Sequence, residues 1–452
     1  MSNSKTMDLL HGSVPKALLS FSWPILLANL MQTLYSMVDM AIVGHLVGSV
    51  GLSAVSNSSQ VTMLFTTIGI GLVMGGQMMI AQFKGAGEHE ALQETIGTSL
   101  TFMLILAVIF TVPSILLINP ILRLLNLPQE CMADAHAYLV ICLAGTIFIY
   151  GYNGVCTILR GLGDSTRPMI FVAISSVTNI ILDLIFVGPL GWGTAGAAAA
   201  TIISQALSFA IAAVYLYRNR VGFDFDFKLK RFRIVVKRLK GLLKIGVPFA
   251  VQFSAINISV MFVMSLVNSY GVAASAAYGA CSKIDNFCTM PMFSLGSAAS
   301  TVIGQNIGAR QQDRAKSVVH WGVAMGLGCA VVIVAIVQLI PGTLVRIFNT
   351  DPDVVEIGKL YLHIVSISYF GHALLGCYEA MANGIGFTLL TLLCSLFDSV
   401  CLRISLAYLF AIGLGMGISG VFLGAMIAPF GAALVSGIYF YSGKWRNRAV
   451  LQ

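Results

Sequence analysis

The chain carries two copies of one pattern, about 224 residues apart, and both copies consist of long apolar segments. The offsets between matching places are 224, 223 and 224, so the copies run in the same direction with almost no insertion. The matching places are Pro24 and Pro248 in their apolar runs, residues 80–86 and 303–309, and residues 182–196 and 406–420. Glycine-rich segments at 188–193 and 413–417 predict tight turns in both copies. Two fused membrane halves are the usual construction of a secondary transporter, so the repeat predicts a transporter rather than a structural protein.

Twelve apolar runs are long enough to cross about 30 Å of hydrocarbon as helices. Only 10% of the residues are charged, against about 25% in a typical soluble protein. The sequence therefore predicts an all-α integral membrane protein with twelve transmembrane helices in two six-helix lobes related by a parallel internal repeat. We expect an N-lobe at residues 1–222, a basic cytoplasmic linker at 223–244 and a C-lobe at 245–452. The runs lie near 17–43, 52–80, 94–118, 135–157, 168–188, 193–217, 242–268, 277–304, 317–340, 356–380, 387–411 and 417–441.

Lysine and arginine are distributed unequally between the two sides of the predicted membrane. The side that would hold both termini and the linker receives 21 of the 26 basic residues. The others are Arg123, Arg346 and Lys359 on the opposite side, and Lys283 and Arg403 within helices. Because cytoplasmic loops are enriched in basic residues, we expect both termini in the cytoplasm and the protein in a bacterial or archaeal inner membrane. The basic run at 218–244 fits a loop facing anionic lipid better than a nucleic-acid site.

Several kinds of chemistry have no basis in the sequence. The nine cysteines are scattered, and no pair has metal-ligand or redox spacing. No GxxxxGK(S/T) phosphate loop occurs, so ATP hydrolysis has no recognisable site. A membrane-embedded enzyme would need a nucleophile with its base, or a set of metal ligands, and neither pattern is present. We predict a secondary active transporter, not an enzyme, that uses no cofactor and draws its energy from an ion gradient.

Acidic residues within the N-lobe spans have no basic partners in the same six helices. They are Asp39 and Asp183. An ionised carboxylate is expensive in a low-dielectric interior unless it is paired, so these acids must bind a proton or a cation, or face water. Gln32, Tyr35 and Asp39 have the spacing of one helix face, as do Asn179 and Asp183. Their oxygens suit sodium or a shared proton; the alternative is that both acids are permanently protonated and only form hydrogen bonds.

The C-lobe spans hold acids and bases together, so their charges can be neutralised internally. The five residues are Lys283, Asp285, Glu379, Asp398 and Arg403. Internal pairs that fix helix packing would explain all five, and a place in the wall of the cargo cavity is the alternative. Further candidates for that cavity are Tyr150 and Asn153.

Four groups of residues carry a family resemblance over essentially the whole chain. They are Pro24 with Gln32-x-x-Tyr35-x-x-x-Asp39, Leu159-Arg160-Gly161-x-Gly163-Asp164, Asn179-x-x-x-Asp183, and the paired Gln82/Gln305-x-x-Gly segments. Together they resemble multidrug and toxic compound extrusion (MATE) transporters, in the branch with an ion site in the N-terminal lobe. The resemblance implies a kink in the first helix at Pro24 and adds Thr201 to the ion site. It implies that sodium would be held by Asp39, Asn179, Asp183 and Thr201, with Gln32 and Tyr35 completing the polar site.

The resemblance and the residues together predict an antiporter that works by alternating access. It would export amphipathic, often cationic, organic compounds while a proton or a sodium ion enters. Its expected partners are small organic cargo and membrane lipid, with no nucleic acid, and we expect a monomer. The alternative is a lipid-linked oligosaccharide or lipid flippase of the same superfamily, although such proteins show a cationic cavity and the N-lobe spans lack basic residues. A facilitator-type carrier is a further alternative, but its loop signature is not visible at 82–94.

Overall fold

A computed structural model describes residues 7–124 and 128–448, and nearly all of them are helical. The helices before the central linker are α1 Val14–Leu46, α2 Ser49–Ala86, α3 His89–Leu116, α4 Ile118–Leu124, α5 Gln129–Ala144, α6 Thr146–Gly161, α7 Thr166–Val187 and α8 Gly193–Arg218. Those after it are α9 Val236–Asn268, α10 Val272–Gly308, α11 Gln312–Leu339, α12 Pro341–Arg346, α13 Pro352–Val365, α14 Ser368–Gly384, α15 Thr388–Leu396, α16 Ser405–Tyr408 and α17 Ile418–Tyr441. Two π-helical segments, Phe397–Ile404 and Leu409–Gly413, lie on either side of α16. The chain ends that the sequence places in the cytoplasm, 1–6 and 449–452, lie outside the described residues.

Two of the twelve predicted spans are broken helices. In the described ranges, ten helices are long and apolar enough to cross a membrane, and counting each of two bent pairs as one span gives the predicted twelve. The pairs are α5 with α6, bent by 46°, and α13 with α14, bent by 44°. The breaks fall at Gly145 and at Ser366 and Ile367. Because so short a break leaves the apolar content of a run unchanged, the sequence predicted both spans as continuous.

The internal repeat is visible in the backbone as well as in the sequence. Five positions with a positive φ angle each have a counterpart, 223 or 224 residues later, that also has one. The pairs are Gly48 and Gly271, Gly87 and Arg310, Gly163 and Gly386, Gly191 and Gly415, and Gly193 and Gly417. Glycine is the usual occupant of this region because it has no Cβ. The last two pairs form the predicted glycine-rich turns, which are thereby confirmed.

The described residues fold as two compact units. The first contains Met7, Leu27–Lys84 and Glu88–Gly246, and the second contains Asp8–Leu26, residues 85–87 and the chain from Val247 onwards. The long helices α1 and α9 are therefore each divided between the units, close to Pro24 in α1 and close to Pro248 in α9. Each unit has its own apolar core, around Tyr150 in the first and Tyr361 in the second. The lobe boundaries predicted at 222 and 245 stay predictions.

The start of α9 packs closely on α2 within the first unit. A methyl group on Gly75 would lie 2.3 Å from the carbonyl oxygen of Leu242. One on Gly246 would lie 2.4 Å from the carbonyl oxygen of Leu72. Both positions therefore require glycine, because any side chain would push the two helix backbones apart.

Candidate functional site

The six side chains predicted to form an ion site lie on three helices of the first unit. They are Gln32, Tyr35 and Asp39 on α1, Asn179 and Asp183 on α7, and Thr201 on α8. Spacings of three or four residues place the members on one face of α1 and one face of α7. Asn179 donates a hydrogen bond from Nδ2 to Oγ1 of Thr201 at 3.4 Å, which joins α7 to α8.

Asp39 and Asp183 are buried beside each other. Their exposed fractions are 8% and 0%, and their carboxyl groups are close enough to form a hydrogen bond when one of them is protonated. Four oxygens of the cluster receive no hydrogen bond from any described residue: Asp39 Oδ1, Asn179 Oδ1, and both carboxylate oxygens of Asp183. Buried polar atoms normally have partners, so this group of acceptors has the chemistry to take up a proton or an oxygen-coordinated cation.

No basic side chain in the described part of the chain neutralises these two acids. The ion pairs there involve neither Asp39 nor Asp183. A buried pair in the first unit, Arg238 with Glu94 at 3.0 Å, joins the start of α9 to α3 instead. The site therefore has two acidic groups, and a cation must come from outside the protein to balance them.

Two further residues belong to the cluster and were not predicted from the sequence. The amide of Gln205 hydrogen-bonds the hydroxyl of Tyr35, and its Oε1 has no donor among the described residues. Gln205 follows Thr201 by four residues on α8, so helical spacing from Thr201 could have found it. Tyr138 on α5 lies close to Asp39, and no pattern in the sequence distinguished it from the other tyrosines.

The two N-lobe residues predicted as cavity candidates bond to the main chain within the first unit. The hydroxyl of Tyr150 donates to the carbonyl oxygen of Phe65 at 2.7 Å, and the residue is 2% exposed. Asn153 donates from Nδ2 to the carbonyl oxygen of Ile149 at 2.8 Å, one turn earlier on α6. These bonds fix both side chains, and their role in cargo binding stays a prediction.

Asp285 in the second unit connects the two pieces of a broken span. Its carboxylate accepts hydrogen bonds from the hydroxyls of Tyr361 on α13 and Tyr369 on α14. The two tyrosines lie on opposite sides of the 44° bend between those helices. The carboxylate of α10 therefore holds α13 and α14 together at their break, and tyrosine donors take the place of the basic partner that the sequence made available.

The other charged residues of the C-lobe spans have different surroundings. Asp398 and Arg403 form an ion pair of 2.9 Å within one π-helical segment. Glu379 on α14 is 9% exposed, has Gln252 as a hydrogen-bonding neighbour, and has one oxygen without a donor among the described residues. Lys283 is exposed and forms no ion pair within the described ranges. A place in the cargo cavity for these residues stays a prediction.

Asp164, the acid of the Leu159–Asp164 motif, links two helices of the first unit at their cytoplasmic ends as the sequence orients them. Its Oδ1 accepts from the backbone N–H of Arg167 at 3.0 Å, and its Oδ2 accepts from the hydroxyl of Tyr215 at 3.2 Å. Burial raises the pKa of Asp164, and both donors oppose that shift by stabilising the carboxylate. The motif therefore ties the start of α7 to the end of α8.

Pro24 lies inside α1, and the helix continues on both sides of it. Proline has no N–H to donate, so the carbonyl of Ser20 has no donor from the position one turn later. This removes one of the bonds that keep α1 straight, which is the local requirement for a bend. The predicted kink at Pro24 stays a prediction.

Comparison with known proteins agrees with this arrangement. The MatE family model matches residues 24–185 and 248–409, one match in each half. The chain is 30% identical over 447 residues to the probable multidrug resistance protein YpnP of Bacillus subtilis (strain 168), covering 98% of both chains. It is 30% identical over 445 residues to the probable multidrug resistance protein YoeA of the same organism, covering 97% of this chain and 96% of that one.

A solved structure supports the same assignment. It is described as the outward-facing conformation of a multidrug resistance MATE family transporter of the MOP superfamily. The TM-score is 0.92 at 26% identity, covering 98% of both chains. Full-length relatives, the shared fold and a family match in each half show that this chain belongs to the MatE family, and it is a multi-pass membrane transporter rather than an enzyme.

Proposed function

We propose that this protein is an antiporter that exports amphipathic, often cationic, organic compounds while a proton or a sodium ion enters the cell. The observation that carries the proposal is the buried pair of Asp39 and Asp183, whose oxygens lack donors among the described residues. The names of the two Bacillus subtilis relatives support a drug-like cargo. The ion is a transported substrate in this proposal and not a resident cofactor.

The chemistry of the cluster explains why an ion should bind. Breaking a buried charge pair by removing one partner costs about 3–5 kcal/mol, and here the partner of two carboxylates is missing from the start. A proton would neutralise one carboxyl and form a hydrogen bond to the other. Sodium would be coordinated by oxygens from Asp39, Asn179 and Asp183, with Thr201 beside them. Either ion removes the repulsion between the two acids.

Coupling to cargo follows from the position of the site on α1. A ligand shifts a conformational equilibrium only by the difference in its affinity for the two states. Asp39 moves with α1, so a bound cation favours the geometry that brings Asp39 to Asp183. Without the cation, repulsion favours a second geometry, in which Pro24 provides the bend. Cargo that binds this second geometry better would be exchanged for the ion.

The setting of the transporter follows from the distribution of charge. We propose that it lies in the cytoplasmic membrane of a bacterial or archaeal cell, with both termini and the basic linker inside, because most basic residues fall on that side. It would work as a monomer surrounded by lipid. Tyr150, Asn153 and the charged C-lobe residues are the candidates for contact with cargo.

The proposal is tested with purified protein in liposomes that contain a fluorescent cationic dye. Efflux is measured under an imposed pH gradient alone and under an imposed sodium gradient alone, which also identifies the ion. Wild-type protein should respond to at least one gradient. The Asp39→Asn, Asp183→Asn double variant should bind dye normally and respond to neither gradient.

A matched control separates the loss of this site from the loss of any carboxylate. Asp134 lies in the same unit and accepts a hydrogen bond from Thr194 at 3.2 Å. An asparagine oxygen can accept the same bond, so Asp134→Asn should retain gradient-driven efflux. Wild-type coupling in the Asp39→Asn, Asp183→Asn variant would contradict the proposal, because both residues would then be structural only.

A further inference from the structure

The repeat assigns each residue of the ion site a counterpart in the second half. The family model matches both halves at an offset of 224 residues, at its start and at its end, and the positive-φ turns at 191 and 415 keep the same offset. This offset pairs Asp39 with Val263, Asp183 with Ala407 and Asn179 with Arg403. The two acids are thus replaced by apolar residues, and the amide is replaced by a permanent cation.

The counterparts of the two acids are part of the apolar core of the second unit. Val263 is 2% exposed and Ala407 is 0% exposed, and both belong to the same core cluster. α17 packs directly on Ala407, since a methyl group on Gly424 would lie 2.5 Å from the Ala407 nitrogen. The second unit therefore offers no space for a carboxylate or an ion at the place that corresponds to Asp183.

Arg403 is held by an acid that has no counterpart in the first half. Its guanidinium donates to Oδ2 of Asp398 at 2.9 Å, and the two side chains are 17% and 7% exposed. Residues five apart point about 140° away from each other on an α-helix of 3.6 residues per turn. The π-helical segment Phe397–Ile404 has a wider turn and brings them onto one side, and such segments are frequent at functional sites. In the first half, residue 174, the counterpart of Asp398, is isoleucine.

The charge of Arg403 reaches beyond its partner. It acts on Asp285 and Tyr278 of α10 and on His372 of α14. Glu379 of α14 lies near Asp398 rather than near the guanidinium. Arg403 is thus the basic group at the centre of the acidic residues in the described part of the second unit, where the first unit has none.

We propose that Arg403 is a tethered cation that takes, in the C-lobe, the place of the exchangeable cation in the N-lobe. It neutralises Asp398 permanently, so the second copy of the site cannot load or release an ion, and coupling belongs to one lobe only. The inference rests on the proposed function, because it presupposes that the Asp39–Asp183 site exchanges an ion. Arg403 is in this view a positioning residue for the transport cycle and does not touch the transported ion.

Three variants test the inference by the number of cations that move per cargo. Arg403→Gln leaves Asp398 without its cation, so this carboxylate should recruit a proton or sodium ion from solution. The cation-to-cargo ratio, measured as the ion gradient that balances a fixed dye gradient, should rise by about one. Arg403→Lys keeps a charge at the site and should retain the wild-type ratio. The Asp398→Asn, Arg403→Gln double variant removes both charges together and should also retain it.

The outcomes separate this inference from the proposed function. An unchanged ratio in Arg403→Gln would overturn the tethered-cation role while leaving N-lobe coupling intact. Failure of the proposed function would appear instead as wild-type coupling in the Asp39→Asn, Asp183→Asn variant. If Arg403→Gln does not fold, the neutral double variant decides. Wild-type coupling there supports the inference, whereas loss of coupling or failure to fold contradicts it, because the pair would then do more than cancel its own charges.

Discussion

Replacing Asp183 with asparagine tests the ion site through protein stability, independently of transport. Asp183 is 0% exposed, and neither carboxylate oxygen receives a hydrogen bond from a described residue. An ion that binds only the folded protein stabilises it by about 2.7 kcal/mol at one hundred times its dissociation constant. Asparagine keeps the shape of the side chain and removes the charge, so the ion loses one of its two acidic partners.

Two changes in stability are expected, and they have opposite signs. Without the coupling ion, Asp183→Asn should be more stable than wild type by about 1–2 kcal/mol, since an unsatisfied buried group costs about 1–3 kcal/mol. With a saturating ion, wild type should gain about 2.7 kcal/mol while the variant gains less than about 0.5 kcal/mol. Both are measured by thermal unfolding of purified protein, in sodium against choline chloride and at two pH values.

The control for this measurement is Asp134→Asn, whose stabilisation by the ion should match that of wild type. Asp39→Asn should lose the stabilisation as Asp183→Asn does, because the two carboxyl groups adjoin each other. Equal stabilisation of wild type and Asp183→Asn, by sodium as well as by acid, would refute the reasoning. The ion would then bind elsewhere, and the buried acids would be protonated residues that only pack.

Three further predictions concern other parts of the molecule. A cysteine introduced in the linker at residues 218–244 should resist an impermeant reagent added outside intact cells, because the basic residues place this loop in the cytoplasm; labelling there would reverse the topology. Glu379→Gln should alter cargo range or folding more than ion coupling, and loss of gradient-driven exchange with normal dye binding would extend the ion site into the C-lobe. Gly246→Ala should lower the free energy of unfolding by about 1–3 kcal/mol, since its methyl group would lie 2.4 Å from a backbone oxygen of α2. Gly279→Ala has open space around it and should behave as wild type in the same unfolding assay.

Helical spacing was sufficient to find most of the candidate ion site in advance. Asn179 and Asp183 are one turn apart, and the structure brings them to the polar face of α1, as the absence of basic partners indicated. Gln205 escaped because glutamine is a neutral residue whose burial depends on which face of α8 turns inward. That choice is made by packing in three dimensions, which the spacing of one helix cannot reveal.

The charged residues of the C-lobe show a second limit of sequence reasoning. Arg403 and Asp398 were recognised as available partners, yet a regular helix would have directed them apart. Only the π-helical turn of Phe397–Ile404 makes the pair geometrically feasible. The breaks at Gly145 and at Ser366 were missed for a related reason, because they alter backbone direction without altering hydrophobicity. Deviations from regular α-helix were thus the hardest features to anticipate.

The division of α1 and α9 between the two units has a consequence for how the protein is made. Residues 8–26 belong to the second unit, whose remaining residues begin mainly at Val247. At a synthesis rate of about 5–20 residues per second, this first segment waits roughly 10–45 seconds before its partners leave the ribosome. The first unit is likewise incomplete until Gly246 has been added. Neither half can finish folding from its own six spans, so separately expressed halves should each need the other present in the same membrane during biogenesis.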